Sequence, residues 1–341
     1  MPSVVKITDV AREARVSVAT VSRALNNSAP VDPALATRVH DAVRKLGYRP
    51  NGLARNLRKQ GSQVWALVIT DINNPFYTAV ARGLEDVASD AGFSLLLCNS
   101  DEDRGKEARY LQIAERERVA GLVLAARNPD CDVSRLLASG IPVIAVDRTI
   151  DAAVDYVLAR SREGARAATE HLLAGGWSRP ACVTGPHDAQ TAEQRRIGYA
   201  DAVGAHGLPE LVAHVGFHDD AGLHAVVEDL LDSERPDSLF VANSVLALGV
   251  LDVLKRRKIR VGRDLGLITF DDAPWCALLE PAVSVVAQPA YRIGTEAGRL
   301  LLRRIAGQVP PEPAHVVLDT ELVVRRSSLR PRSGVRTGRP G

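Results

Sequence analysis

The side chains that most often carry chemistry are distributed here in a way that argues against catalysis and against a metal centre. Cys98, Cys131, Cys182 and Cys276 are far apart and form no CxxC pair, so their spacing supports neither a zinc site nor a disulfide framework. They read as reduced core residues. His171, His187, His206, His214, His218, His224 and His315 show no metal-ligand spacing and are expected on helix faces or loops. There is no GxSxG elbow and no GxxxxGK phosphate loop. Asp271 and Asp272 are a carboxylate pair of the kind that acid–base chemistry uses, but nothing nearby completes a constellation. No enzyme activity and no cofactor are expected.

Charge is more informative. The chain is almost neutral, at +2, yet residues 1–61 hold eleven Lys and Arg against four acids. Four further arginines and no acid follow from Arg330 to the end. A cationic end on an otherwise acidic chain suits a polyanion, because Lys and Arg that neutralise phosphates release condensed counterions.

The elements that must position these charges are legible from periodicity. Ile7, Val10, Ala11 and Ala14 recur at helical spacing, Arg15 and Val16 form a turn, and Ser17 caps a second helix with Val18, Val21 and Leu25 on one stripe. A third helix runs from its Asp32 cap and Pro33 to Leu46, before Gly47. Two helices joined by a tight turn under a third make a helix-turn-helix head. Pro50 and Asn51 then open a short helix containing Leu53, Ala54 and Leu57, with so little apolar surface that it should be marginal alone.

From Val64 onward apolar strands alternate with amphipathic helices: WALVIT, FSLLLCN, GLVLA, IPVIAVD, VDYVLA, RPACVTG, VAHVGF, SLFVAN and GLITFDD. Such strands imply parallel sheets covered on both faces. The series is too long for one sheet and divides into two lobes. The fold class is therefore α/β with an all-α head. The expected domains are a head at 1–47, a hinge at 48–62 and a body at 63–329, followed by a disordered basic tail at 330–341. Lobe 1 of the body takes about 63–160 and 289–319; lobe 2 takes about 161–288 and 320–329. Apolar residues make up 46% of the chain, yet no run reaches the roughly 18 needed for a membrane span. The N-terminus also lacks an apolar stretch of signal-peptide length, so a cytoplasmic, nucleoid-associated protein is expected.

The string ITDVAREARVSVATVSRALNN, followed by YRPNGLARNL, closely resembles the head and hinge of the lac repressor family. The resemblance implies a transcription regulator, expected to be a homodimeric repressor on near-palindromic double-stranded operator DNA. It places the start of the second helix in the major groove. There Arg23 can pair with guanine, Val18 and Ala19 can touch thymine methyls, and Ser17, Ser22 and Asn26 can bond phosphates. In the hinge it makes Leu57 a minor-groove wedge, flanked by Asn51, Ala54, Arg55 and Arg58. Two positions depart from the family. Arg15 stands where Gly is common at the turn, and Lys6 stands where a capping Ser or Thr is usual.

The body resembles periplasmic sugar-binding proteins of the ribose type. That resemblance implies an effector cleft bearing Asn74, Phe76 and Tyr77 of DINNPFY, Asp147 and Arg148 of AVDR, and Arg195 of RRIGY. Asn243 of VANS, Asp271 of TFDD and Gln288 of AQP complete the polar set, with Thr191 and Phe217 at further cleft positions. It makes Asp271 an acceptor for ligand or for Arg195, not an acid–base group. A monosaccharide fits such a set, because carboxylates and amides bond its hydroxyls while aromatics cover its ring. A nucleobase, nucleoside or phosphorylated metabolite is the alternative effector. Arg160, Ser161 and Ser244 depart from the usual residues, and Arg160 near the lobe junction could favour an acidic ligand or face solvent. A solute-binding transport component would share the body but not the basic head.

Overall fold

Three helices form where the apolar stripes require them: α1 (Ile7–Ala14), α2 (Val18–Asn26) and α3 (Pro33–Leu46). They come from a computed structural model that describes residues 5–26, 30–48, 62–217 and 220–330 and divides the chain into two units, 1–62 and 63–341. The core of the first unit is built from small side chains: Val10, Ala11, Ala14, Val21, Ala24, Val39 and Ala42. Small residues let three short helices approach closely, but each buried Val contributes only about 1.5–3 kcal/mol, so specific caps matter. Asp32 accepts from the backbone N–H of Ala34 and Leu35, and Gly47 closes α3 at φ 62°.

The two departures in this unit are both accommodated. Arg15 takes the left-handed conformation, φ 52° and ψ 50°, that the family's glycine would reach without strain. Its carbonyl and that of Ala14 accept from the Arg38 guanidinium at 3.1 and 2.5 Å, so α3 ties down the strained turn. Lys6 cannot accept a hydrogen bond at the N-cap, as expected, but Asp9 takes the Lys6 backbone N–H at 2.9 Å and keeps half of the capping box.

The second unit holds two sheets. The first contains β1 (Val64–Ile69), β2 (Ser94–Asn99), β3 (Gly121–Leu124), β4 (Val143–Val146), β5 (Asp155–Ala159) and β11 (His315–Leu318), ordered β11-β5-β4-β3-β1-β2 and parallel throughout. The second contains β6 (Pro180–Thr184), β7 (Val212–His214), β8 (Ser238–Val241), β9 (Gly266–Phe270), β10 (Ser284–Ala287) and β12 (Glu321–Val323), ordered β12-β10-β9-β8-β6-β7. Lobe 1 is packed by α4 (Pro75–Asp90), α5 (Arg104–Arg116), α6 (Ser134–Ala138) and α11 (Ala290–Ile305). Lobe 2 is packed by α7 (Ser161–Ala174), α8 (Gln190–Ala205), α9 (Asp220–Ser233) and α10 (Ser244–Arg256). The chain passes between the sheets after β5, β10 and β11.

Three sequence expectations need correction here. β12 runs antiparallel to β10, so the second sheet is not wholly parallel; β12 is only three residues long, ELV. FSLLLCN forms an edge strand whose Leu96 and Leu97 are 40% and 39% exposed, not a strand covered on both faces. Arg330 belongs to the folded body, because its guanidinium lies 5.1 Å from the Trp177 ring and bonds the Gly176 carbonyl. The rest of the expected tail, 331–341, lies outside the described residues.

One glycine pair fixes the helix layer of lobe 1. A Cβ on Gly83 of α4 would sit 2.1 Å from the Tyr291 carbonyl oxygen, and one on Gly294 of α11 would sit 2.1 Å from that of Val80. The two backbones therefore touch, holding the middle of α4 against the start of α11.

Candidate functional site

In both sheets the strand order reverses beside the first strand of the lobe, between β1 and β3 and between β6 and β8. Loops at the carboxyl ends of strands diverge at such a switch point and leave a crevice. A cavity of about 180 Å³ lies there, lined from lobe 1 by the loops after β1, β2 and β4 and from lobe 2 by those after β6, β7, β8 and β9. Asn74, Phe76, Tyr77, Asp147, Arg148, Thr191, Arg195, Phe217, Asn243, Asp271 and Gln288 all line it. Residues spread over more than two hundred positions of sequence are thus brought to one crevice.

The lobe 1 wall is a continuous polar network. Asn74 caps α4 through the Phe76 N–H at 3.0 Å, which aims Phe76 and Tyr77 inward with their rings edge to face at 5.0 Å. Tyr77 donates its hydroxyl to Asp147 Oδ2 at 2.9 Å. Burial, reinforced by the Asp147 charge, holds that phenol well above its ordinary pKa, so it remains a donor. Arg148 is buried and forms a bidentate pair with Glu102, at 2.6 and 2.9 Å, and also donates to the carbonyls of Ala126 and Arg127. Burial alone would lower its pKa, but the Glu102 and Asp147 carboxylates more than offset this and keep it charged.

The lobe 2 wall is less complete. Asn243 caps α10 through the Leu246 N–H at 2.8 Å. Arg195 donates to the Ala242 carbonyl at 2.7 Å and stacks 3.9 Å over the Phe270 ring. Asp271 accepts from Gln288 Nε2 at 2.6 Å and from the Ser244 backbone N–H. Of the two partners expected for Asp271, ligand or Arg195, Arg195 does not bond it here; its guanidinium is directed to the Ala242 carbonyl and the Phe270 ring. Burial raises the pKa of Asp271, with the Arg195 charge opposing it. Arg195 Nε, Ser244 Oγ and Gln288 Oε1 are buried without a hydrogen-bond partner, as is Arg148 Nε in the opposite wall. Such orphaned atoms cost free energy unless a ligand or water meets them.

Three of the carboxylates lining the cavity, those of Glu102, Asp147 and Asp271, belong to residues with positive φ: 54°, 65° and 73°. Non-glycine residues adopt this region rarely, and such strain collects at functional sites. Glu102 escaped the sequence reading because SDEDR has the composition of a solvated loop, and only its burial against Arg148 reveals its role.

Other residues fall away from the cavity. Arg160 pairs with Asp319 at 2.8 Å and with Glu163, half exposed at the crossing, and does not line the cavity. His214 and His315 lie on strands, not on helix faces or loops, and the His214 ring stacks on His187 with centroids 3.5 Å apart. Cys98, Cys182 and Cys276 are buried thiols as expected, whereas Cys131 is half-buried. No group of three metal-ligating side chains occurs among the described residues. No helix among them is long and apolar enough to cross a membrane.

In the first unit, Ala19 and Arg23 are exposed on one side of α2. Val18 is half-buried and packs on the head core, so less of it is free for an outside contact than expected. The Ser17 hydroxyl accepts from the Thr20 N–H at 3.1 Å and bonds the Thr20 hydroxyl, which engages it as a cap. Ser22 is half-buried. The Asn26 side chain and the hinge residues Asn51, Ala54, Arg55, Leu57 and Arg58 lie outside the described residues.

These features agree with known proteins. The family model for bacterial regulatory proteins of the lacI family matches residues 6–51, and that for the periplasmic binding protein-like domain matches residues 169–328. The ribose operon repressor of Halalkalibacterium halodurans is 35% identical over 324 residues, covering 94% of this chain and 96% of that protein. The transcriptional regulator CelR, solved as its cellobiose complex, is 30% identical with a TM-score of 0.71, over 95% of this chain and 99% of that one. The lac repressor dimer bound to operator and the anti-inducer ONPF has the same fold, with a TM-score of 0.83 over 96% of this chain and 100% of that one at 22% identity. With a relative 35% identical over nearly its whole length and the lacI-family model on its N-terminal unit, the chain belongs to the lacI family of bacterial regulatory proteins.

Proposed function

We propose that the protein is a homodimeric repressor of a near-palindromic operator, controlled by a neutral monosaccharide or sugar derivative held in the crevice between its lobes. Residues 1–47 are the DNA-reading head and 48–62 the hinge; lobe 1 takes about 63–160 and 289–319, and lobe 2 takes 161–288 and 320–329. It acts in the cytoplasm by binding alone, with no catalytic step.

The observation that carries this reading is the pairing of aromatic faces with unmet polar atoms in one crevice. Phe76, Tyr77 and Phe217 offer ring-covering surface, while Arg195 Nε, Arg148 Nε and Gln288 Oε1 await partners. A sugar presents apolar C–H faces and hydroxyls that both donate and accept, so it can meet both kinds of group. Charge argues against a phosphorylated effector: the lining holds Asp71, Glu102, Asp147 and Asp271 against Arg148 and Arg195, with no lysine. Ribose in the name of the relative and cellobiose in the CelR complex point the same way.

On the DNA side, Ala19 and Arg23 present the reading face, with Val18 at its edge. Ser22 and Asn26 contact phosphates, and Leu57 wedges the minor groove between Arg55 and Arg58. Effector binding shifts operator affinity through a coupling free energy between the two sites.

The test begins by selecting bound sequences from random duplex DNA, then measures operator affinity by fluorescence anisotropy with D-ribose, D-xylose, adenine or guanosine added. A sugar should shift the operator Kd, and the purines should not. Arg195→Ala should lose the sugar response while keeping operator binding. Arg23→Ala should keep sugar binding but lose about 1–3 kcal/mol of preference for the selected site. A shift with adenine or guanosine alone would replace the sugar by a purine, and absence of any duplex preference would remove the regulator reading.

A further inference from the structure

Two loops of lobe 1 reach across the crevice mouth and land on one short segment of lobe 2. Arg127, after β3, donates from Nη2 to Asp188 at 2.7 Å, and its guanidinium lies 4.4 Å from the Phe217 ring. Thr149, after β4, is locked to Gln190 in both directions: its backbone N–H donates to Oε1 at 2.8 Å, and its hydroxyl accepts from Nε2 at 2.7 Å. Phe217 lines the cavity, so the group that covers its ring also controls the cavity wall.

Arg127 is built to hold and to release. Its side chain is 11% exposed, which distinguishes it from a screened surface cation. Within lobe 1 its Nε donates to the Glu102 carbonyl at 3.1 Å and lies 3.5 Å from the Glu102 carboxylate, and Nη1 bonds the Asn128 amide oxygen. These contacts preorganise the planar fork, so little side-chain freedom is lost when Asp188 and Phe217 arrive. When the lobes part, only the Asp188 and Phe217 contacts break and the guanidinium keeps its lobe 1 partners. Asp188, 56% exposed, passes into solvent without a buried charge being left behind. The guanidinium also touches Glu102, the same carboxylate that anchors Arg148 in the cavity wall. Closure at the mouth is thereby connected to the polar floor.

We propose that Arg127 is the positioning residue that latches the crevice shut, drawing Asp188 and the Phe217 lid of lobe 2 onto lobe 1; this rests on the crevice being the effector site. The latch sets effector affinity without touching the effector, because bound ligand and latch stabilise the same closed arrangement.

The Thr149 backbone N–H is an internal reporter, since its acceptor lies on the other lobe and belongs to neither latch partner. Hydrogen–deuterium exchange of that amide is measured in the full-length protein without ligand, for wild type, Arg127→Ala, Asp188→Asn and the double variant. The latch predicts at least fivefold faster exchange at Thr149 in each single variant, and no further gain in the double. Asp188→Asn leaves every lobe 1 contact of Arg127 in place, so it guards against local damage from Arg127→Ala. Unchanged Thr149 exchange in Asp188→Asn overturns the latch. Calorimetric titration with D-ribose should then show at least tenfold weaker binding in both single variants. If wild type itself fails to bind D-ribose, the sugar reading falls, while Thr149 exchange still decides the latch.

Discussion

The two walls of the crevice are made from the same kinds of side chain and satisfied in different ways. In lobe 1 the Tyr77, Asp147, Arg148 and Glu102 side chains bond one another, so the wall is complete but for one guanidinium nitrogen. In lobe 2 the caps and contacts of Asn243, Arg195 and Asp271 leave an amide oxygen and a guanidinium nitrogen unmet. Buried networks rigidify when complete and are costly when partial. One wall is therefore complete in itself, and the other keeps unmet polar atoms that the proposed effector would satisfy. On the proposed reading this asymmetry favours closure on the effector, because two walls already satisfied would gain little from it.

That contrast can be broken experimentally, beginning with the largest effect. Arg148→Ala leaves the Glu102 carboxylate buried and unpaired, which should cost about 3–5 kcal/mol of stability in denaturant titration; a loss below about 1 kcal/mol would mean that the lobe 1 network is not structural. Asp271→Asn probes the second wall by pH. Burial raises the folded-state pKa of Asp271, so its stabilising contribution is fully present below the ordinary aspartate pKa and is lost as pH rises through the raised value. The asparagine variant should therefore gain Tm relative to wild type as pH climbs from about 4 towards 7. A constant difference across that range would show that Asp271 titrates normally. The smallest effect belongs to Ser244→Ala, which deletes an orphaned buried hydroxyl. Stability should stay within about 1 kcal/mol of wild type or rise, because no hydrogen bond is lost. A stability loss above about 2 kcal/mol would mean that the hydroxyl has a partner after all.

Much of this could be read from residues in order. The head follows from local signals: apolar spacing for its helices, Asp32 with Pro33 for the start of α3, and Gly47 for its end. The alternation of strands and helices announced a two-lobed α/β body. The cleft residues were found only through resemblance, and what each one bonds was not legible. Asp271 was read as an acceptor for ligand or for Arg195, whereas Phe270 and Ala242 hold Arg195 and Gln288 bonds Asp271. Glu102 and Arg127 were not singled out in the sequence, since nothing local distinguishes a charge that will be buried in a network from one that will face water.

By itself the sequence determined what depends on neighbours in the chain: helix caps, turn conformations, apolar periodicity and the cationic N-terminal end. Those are short-range effects, set by backbone sterics and by hydrogen bonds a few residues long. Tertiary structure alone decided burial and pairing across long separations, such as Arg148 with Glu102 and Arg127 with Asp188. The reason is physical: a charge or polar atom acquires its energetic meaning from the solvent it loses and the partner it gains, and both are fixed only when distant segments pack together.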